Sequence, residues 1–370
     1  MDKEIIRKAP GEFRVLEYDI AEFAGDYWCM DYGDPQAPRL LELKQEFDLA
    51  GVVAGRDSEW EEILALKRWV RSRWNHGWSH AFSEVKDALD ILRVAATGEQ
   101  FTCGFYARVF GECATALGWP TRQVSLGLER NEFPRDHTYW NVGHAVVEVW
   151  SNDFGKWVIM DPDLNVHYEC CGVPMGALEI HEAWLTDRGA FVDMIQDEPE
   201  FVMPTGRTIE IGKEVPMPRE STEEGTRLKM ERFTRHRALD YYARVRIGGW
   251  NFIDDRCLPG FVSHFQPAGE IRGTRDVERM NWTVNLARAT LTPSWDEQSA
   301  VVHLKLEHCM PYFSHYEVQV DEAQWQPLAG EEFPWAMRDG VNTLQFRAVN
   351  VCDRSGPSSG VVVAYAKAAW

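Results

Sequence analysis

Apolar residues between positions 58 and 117 recur three and four apart, the spacing of helices with one buried face. Ser58 with Glu61 is a capping-box pattern. Trp60, Ile63, Leu64, Leu66 and Val70 follow it, predicting a helix that runs to about Trp74. A second helix is predicted over 84–96 (EVKDALDILRVAA), ended by Gly98. A third is predicted over 103–117, with Thr102 as N-cap and Tyr106, Ala107, Phe110, Ala114 and Leu117 inward. Gly118 and Pro120 supply its stop. The period then drops to two: Val124, Leu126 and Leu128 alternate in 121–128. HAVVEVW (144–150) and KWVIMD (156–161) read as strands, joined by the turn residues SNDFG at 151–155.

Elsewhere the pattern marks boundaries. Residues 1–55, short strand-like pieces followed by a helix-like LLELKQEFDL, read as a lead-in packed on the core. A first domain is expected over 56–278, with a Pro-, Glu- and Gly-rich irregular excursion at 195–230. Residues 231–262 fit the end of that domain without a role of their own. From about residue 280, NWTVNLARATLTP, SAVVHLKLEHC, HYEVQVD, NTLQFRAVN and SGVVVAYA are short alternating runs separated by Pro, Gly and Asp turns. They are expected to form a β-sandwich over 279–370, so the fold class is α+β followed by an all-β module.

The chemistry lies where the two periods meet. Cys103 is placed in the first turn of its helix, where unpaired N–H groups and the helix dipole favour a thiolate and can hold an oxyanion. Gly104 beside it leaves room for a substrate. With a four-residue loop at 151–154, Trp150 faces Gly155 and His144 faces Asp161, their Cβ atoms about 5 Å apart on one sheet face. A one-residue slip would put them on opposite faces. Thiol, imidazole and carboxylate together make an activated nucleophile. The polar loop ERNEFPRDHTYWNVG (129–143), which contains Trp140, runs into His144 and is expected to contact substrate. His137 in the same loop is expected to be exposed, and Cys113 to be a buried structural thiol. Cys170 and Cys171 with His167 lack a second ligand pair, so no metal site is expected. Cys309 and Cys352 are either partners across the sandwich or free thiols.

Residues of roughly 60–170 resemble the transglutaminase-like superfamily, a branch of the papain-like cysteine-enzyme fold. The resemblance is carried by the glycine-flanked Cys103, AxALGWPTR (114–122), GHAVVEVW (143–150) and GKWVIMDP (155–162). It implies Cys103 as nucleophile, His144 as general base and acid, and Asp161 as the residue that orients the imidazole. It also implies an upstream aromatic or amide side chain near the oxyanion, for which Trp69, Trp74 and Trp78 are candidates and Trp74 is the choice. The superfamily includes transglutaminases, peptidases, deglycosylating amidases and inactive members, so the resemblance implies a fold and a constellation rather than one reaction. The string GVNTLQFRAVNVCDRSGPSSGVVV (340–363) resembles the last two strands of an immunoglobulin or fibronectin type III module.

Composition narrows the partners. A net charge of −19 over 370 residues, with no basic block, argues against nucleic acid. No apolar run reaches the length of a membrane span, and the N-terminus lacks the apolar core of a signal peptide. The chain reads as cytoplasmic as written, or exported if a leader was removed. No phosphate-binding loop, dinucleotide fingerprint or calcium motif is present, so no cofactor is expected. Sixteen tryptophans fit core packing and loop anchoring first and an aromatic cleft second. The expected activity is a cysteine-dependent amide hydrolase working through an acyl-enzyme, on a peptide, protein or amide-containing small molecule. Acyl transfer (protein cross-linking or amide-forming biosynthesis) and non-catalytic peptide or glycan binding stay open.

Overall fold

The structure, a computed structural model, describes residues 6–8, 11–23, 31–77, 79–127, 143–196, 200–202, 208–210, 235–248, 250–254, 273–295 and 299–367. Two compact units emerge: Trp28–Trp282, and Met1–Tyr27 together with Thr283–Trp370.

In the first unit the predicted helices form at Glu59–Arg71, Ala88–Ala95 and Cys103–Ala116, preceded by Pro38–Glu46 and Leu49–Val53. Ser58 accepts from the Glu61 N–H at 3.2 Å, but the Glu61 carboxylate turns back to the Asp57 N–H at 3.0 Å, so the box closes one residue early. The second helix starts later than expected because Asp87 caps it, accepting from the Asp90 N–H at 3.0 Å. Thr102 occupies the N-cap position of the third helix without a side-chain cap hydrogen bond. The inward face is as the spacing predicts: Tyr106, Ala107, Phe110, Ala114 and Leu117 are all buried.

The third helix packs on a six-stranded sheet. Its order is Gly273–Thr274, Trp250–Phe252, Arg244–Ile247, Thr121–Gly127, Gly143–Ser151, Lys156–Met160. Val147, Val149, Val158 and Met160 share one apolar cluster with the helix residues Tyr106, Phe110 and Ala114. Gly111 brings the helix close to the sheet, since a Cβ there would lie 3.5 Å from the Thr121 hydroxyl and 3.9 Å from Val147.

The register of the last two strands differs from the expected one. Trp150 pairs with Trp157 and Ser151 with Lys156, so each partner shifts by two residues and the four-residue turn moves on by one, to 152–155. Side chains alternate with period two, so a two-residue shift keeps His144 and Asp161 on one face where a one-residue shift would have parted them.

The second unit holds two sheets. The six-stranded one runs Ile6–Lys8, Gly11–Asp19, Ser359–Lys367, Gly340–Asn350, Phe313–Val320, Gln326–Leu328. The three-stranded one runs Ala287–Trp295, Ala300–His308, Glu332–Ala336. Phe13, Val302, Leu304, Val318, Trp335, Phe346 and Val361, drawn from both sheets, form one buried cluster. Of the expected lead-in over 1–55, Leu43, Leu49 and Val53 join the core cluster of the first unit. The Gly11–Asp19 strand belongs to the second unit, where it pairs with Ser359–Lys367 and places Phe13 opposite Tyr365. No disulfide joins Cys309 to Cys352.

Candidate active site

His144 and Asp161 meet directly, with His144 Nε2 2.7 Å from Asp161 Oδ2. The carboxylate is fixed from behind: Asp161 exchanges two backbone hydrogen bonds with Val166, and its Oδ1 accepts from the Leu164 N–H at 3.1 Å. Both side chains are buried. A His144 ring nitrogen also lies within 4.8 Å of the Cys103 sulfur. Asp161 holds Nε2, so Nδ1 is left to face the thiol. An anion accepting from Nε2–H selects the tautomer whose Nδ1 lone pair takes the thiol proton. Burial by itself would lower the His144 pKa. The Asp161 carboxylate first, then Cys103, outweigh it and hold the imidazole well above its usual range. Cys103 is half-buried at the start of its helix, whereas burial pushes the Cys113 thiol up, with Glu112 adding to it.

Three contributors carried no signal in the pattern. Tyr241, in the short turn Tyr241–Ala243, sets its ring 5.6 Å from that of His144. The adjoining Arg244–Ile247 strand pairs with Thr121–Gly127, so this part of 231–262 belongs to the sheet that carries His144. Asp163, two residues past Asp161 and buried, lies with an oxygen within 4.8 Å of both the Cys103 sulfur and a His144 ring nitrogen. Its two oxygens sit 2.8 Å from His76 Nδ1. Burial would raise the Asp163 pKa, but His76 first, then His144 and Arg71, hold it below the usual carboxylate range. His76 is anchored through a backbone bridge to Phe101, two residues before the cysteine.

Of the accessory residues expected here, Trp74 is misplaced. It is fully buried, its indole N–H donates to the Phe101 carbonyl at 3.2 Å, and its ring stacks on Tyr106 at 4.2 Å. The donor that an oxyanion would need is therefore already spent. Trp74→Phe should cost about 1–2 kcal/mol of stability and leave the alkylation rate of Cys103 unchanged; a tenfold slower rate in the folded variant would return Trp74 to the site. Trp69 packs edge-on against Phe47 and under Arg73, not at the thiol. A Cβ at Gly104 would point at Ala145, 4.0 Å from its Cβ, so this position is turned toward the strand. Trp78, His137 and Trp140 lie outside the described residues.

Residues 48–162 match the family model of the transglutaminase-like superfamily, a span that includes Cys103, His144 and Asp161. Residues 48–162 thus carry a transglutaminase-like core, and the arrangement of Cys103, His144 and Asp161 is consistent with cysteine-dependent catalysis. Among solved structures it is similar to a proposed cysteine protease from Cytophaga hutchinsonii, at 18% identity and a TM-score of 0.27, over 50% of this chain and 59% of that one. It is also similar to red sea bream transglutaminase, at 12% identity and a TM-score of 0.23, over 91% of this chain and 72% of that one. No curated protein matches it. Among the described residues, no helix is long and apolar enough to cross a membrane.

Proposed function

We propose that this protein cleaves an amide bond by covalent catalysis, with Cys103 as nucleophile, His144 as general base and acid, and Asp161 as the residue that orients the imidazole. The observation that carries this reading is the His144 ring, held by the Asp161 carboxylate at 2.7 Å and placed with a ring nitrogen within 4.8 Å of the Cys103 sulfur. The thiolate adds to the carbonyl carbon, and the imidazolium returns its proton to the departing amine as the C–N bond breaks. Water, deprotonated by the same imidazole, then releases the acyl group as a carboxylate. Peptides and proteins are the substrate class the superfamily core suggests.

The test is a peptide mixture incubated with the protein in heavy-oxygen water, with and without methylamine, read by mass spectrometry. Hydrolysis is expected to place heavy oxygen in a new carboxylate, and a Cys103 acyl adduct should be trapped at short times. A methylamide as the dominant product would reassign the enzyme to acyl transfer. Neither product, with no adduct on Cys103, would overturn the catalytic reading in favour of a binding module.

A further inference from the structure

Asp163 and His76 have no part in the mechanism above, yet they stand beside it. Cys103, His144 and Asp163 each offer one ligand atom, and the three atoms lie within 4.8 Å of one another. They come from three separate segments: the start of the Cys103–Ala116 helix, the second residue of the Gly143–Ser151 strand, and the turn that follows Lys156–Met160. Thiolate, imidazole and carboxylate are the donor set that a borderline-soft dication such as Zn2+ takes. Bond lengths near 2.0–2.3 Å put tetrahedral ligand atoms about 3.5 Å apart, so side-chain rotations of roughly 1 Å close the triangle.

The surroundings match those of a metal site more closely than the triangle alone. Metal-bound histidines and carboxylates are held by outer hydrogen-bond partners. His144 already has one in Asp161, at 2.7 Å, which leaves Nδ1 for a metal. Asp163 already has one in His76, at 2.8 Å. Charge also balances. Thiolate and carboxylate together carry two negative charges, and a dication that displaces the imidazolium proton to solvent neutralises both. Three protein ligands leave a fourth position for water.

We propose that Cys103, His144 and Asp163 bind a single Zn2+, which caps the thiolate and holds the site inactive until the metal is withdrawn. The inhibitory part rests on the reading of Cys103 as nucleophile; the binding part does not.

Co2+ serves as the optical probe in the full-length chain. The vicinal pair of half-buried Cys170 and exposed Cys171 is replaced by serine so that it does not bind the probe itself. One equivalent of Co2+ should give a thiolate-to-cobalt charge-transfer band that one equivalent of Zn2+ abolishes. Cys103→Ser should lose the band, and Asp163→Asn should weaken Co2+ at least tenfold, with thermal melting confirming that both variants fold. One equivalent of Zn2+ should also protect Cys103 from iodoacetamide, and a chelator should restore labelling. The proposal is overturned if no band appears, if the band persists in Cys103→Ser, or if Asp163→Asn binds Co2+ as tightly as the parent. A Cys103-dependent band without fast thiol labelling or amide turnover would keep the metal site and remove the catalytic reading. Fast labelling without a band would do the reverse.

Discussion

At pH 6, His144→Ala should slow the alkylation of Cys103 by iodoacetamide by about a hundredfold. An unassisted thiol is only about 0.3% thiolate at that pH, and the gain from pairing is tempered because lower-pKa thiolates are weaker nucleophiles. The labelling rate of the whole protein should depend less steeply on pH than that of the variant, because the His144 pKa is raised by Asp161 and Cys103 despite burial. In the variant the rate should instead climb about tenfold per pH unit. Cys113, buried with its thiol pushed up, should stay unlabelled in both and report folding. The same shift has a stability consequence. A folded-state imidazole pKa above the unfolded value contributes stability that is fully present below about pH 6.5 and is lost as pH rises through the raised value. A wild-type rate that climbs tenfold per unit, like that of the variant, would remove the thiolate–imidazolium pair.

The largest stability effect is expected at Glu148→Ala. Glu148 Oε2 accepts from Arg122 Nε at 2.6 Å, its Oε1 accepts from the Ala177 N–H at 2.7 Å, and neither side chain of the ion pair is exposed. The Arg122 guanidinium also donates to the Met280 carbonyl and lies 4.4 Å from the Trp157 ring and 4.6 Å from the Trp282 ring. Removing the carboxylate strands a buried cation, at a cost of about 3–5 kcal/mol. For a unit of this size that lowers the Tm by roughly 10 °C. Replacing both partners, as Arg122→Met with Glu148→Leu, should recover most of the loss, since an apolar pair of similar volume leaves no charge uncompensated. A Tm within 2 °C of the parent for Glu148→Ala would show that water reaches Arg122.

Local signals made the helices and the main site residues legible. Cys103 announced itself by a helix start and a stop of Gly118 and Pro120, and His144 and Asp161 by two strands around a turn. Turn position was harder to read, because SNDFG accommodates a four-residue loop in more than one place. The resulting error of two residues was harmless only because side chains alternate. Asp163 sat in plain view in the string DPD, yet nothing local says that the chain folds back there to bring a second carboxylate to the thiol. His76 depends on a backbone bridge to Phe101, and Tyr241 on a strand pairing with Thr121–Gly127; both are long-range contacts that no periodicity encodes. Trp74 was misjudged because an aromatic residue upstream of the cysteine reads the same in sequence whether it lines a cleft or fills a core.

The strand Gly11–Asp19 has a consequence for how the chain is made. Its partner Ser359–Lys367 is synthesised about 350 residues later, which at 5–20 residues per second is a wait of roughly 20–70 s. During that wait the helical unit between them can fold as an insert, while a nascent strand near the N-terminus keeps an unpaired edge. The final strand is also the partner of Gly340–Asn350, so a single segment closes both sides of the sheet at once. Synthesis of Ser359–Lys367, rather than emergence of Cys103, His144 and Asp161, is therefore the event that seals this β-sheet.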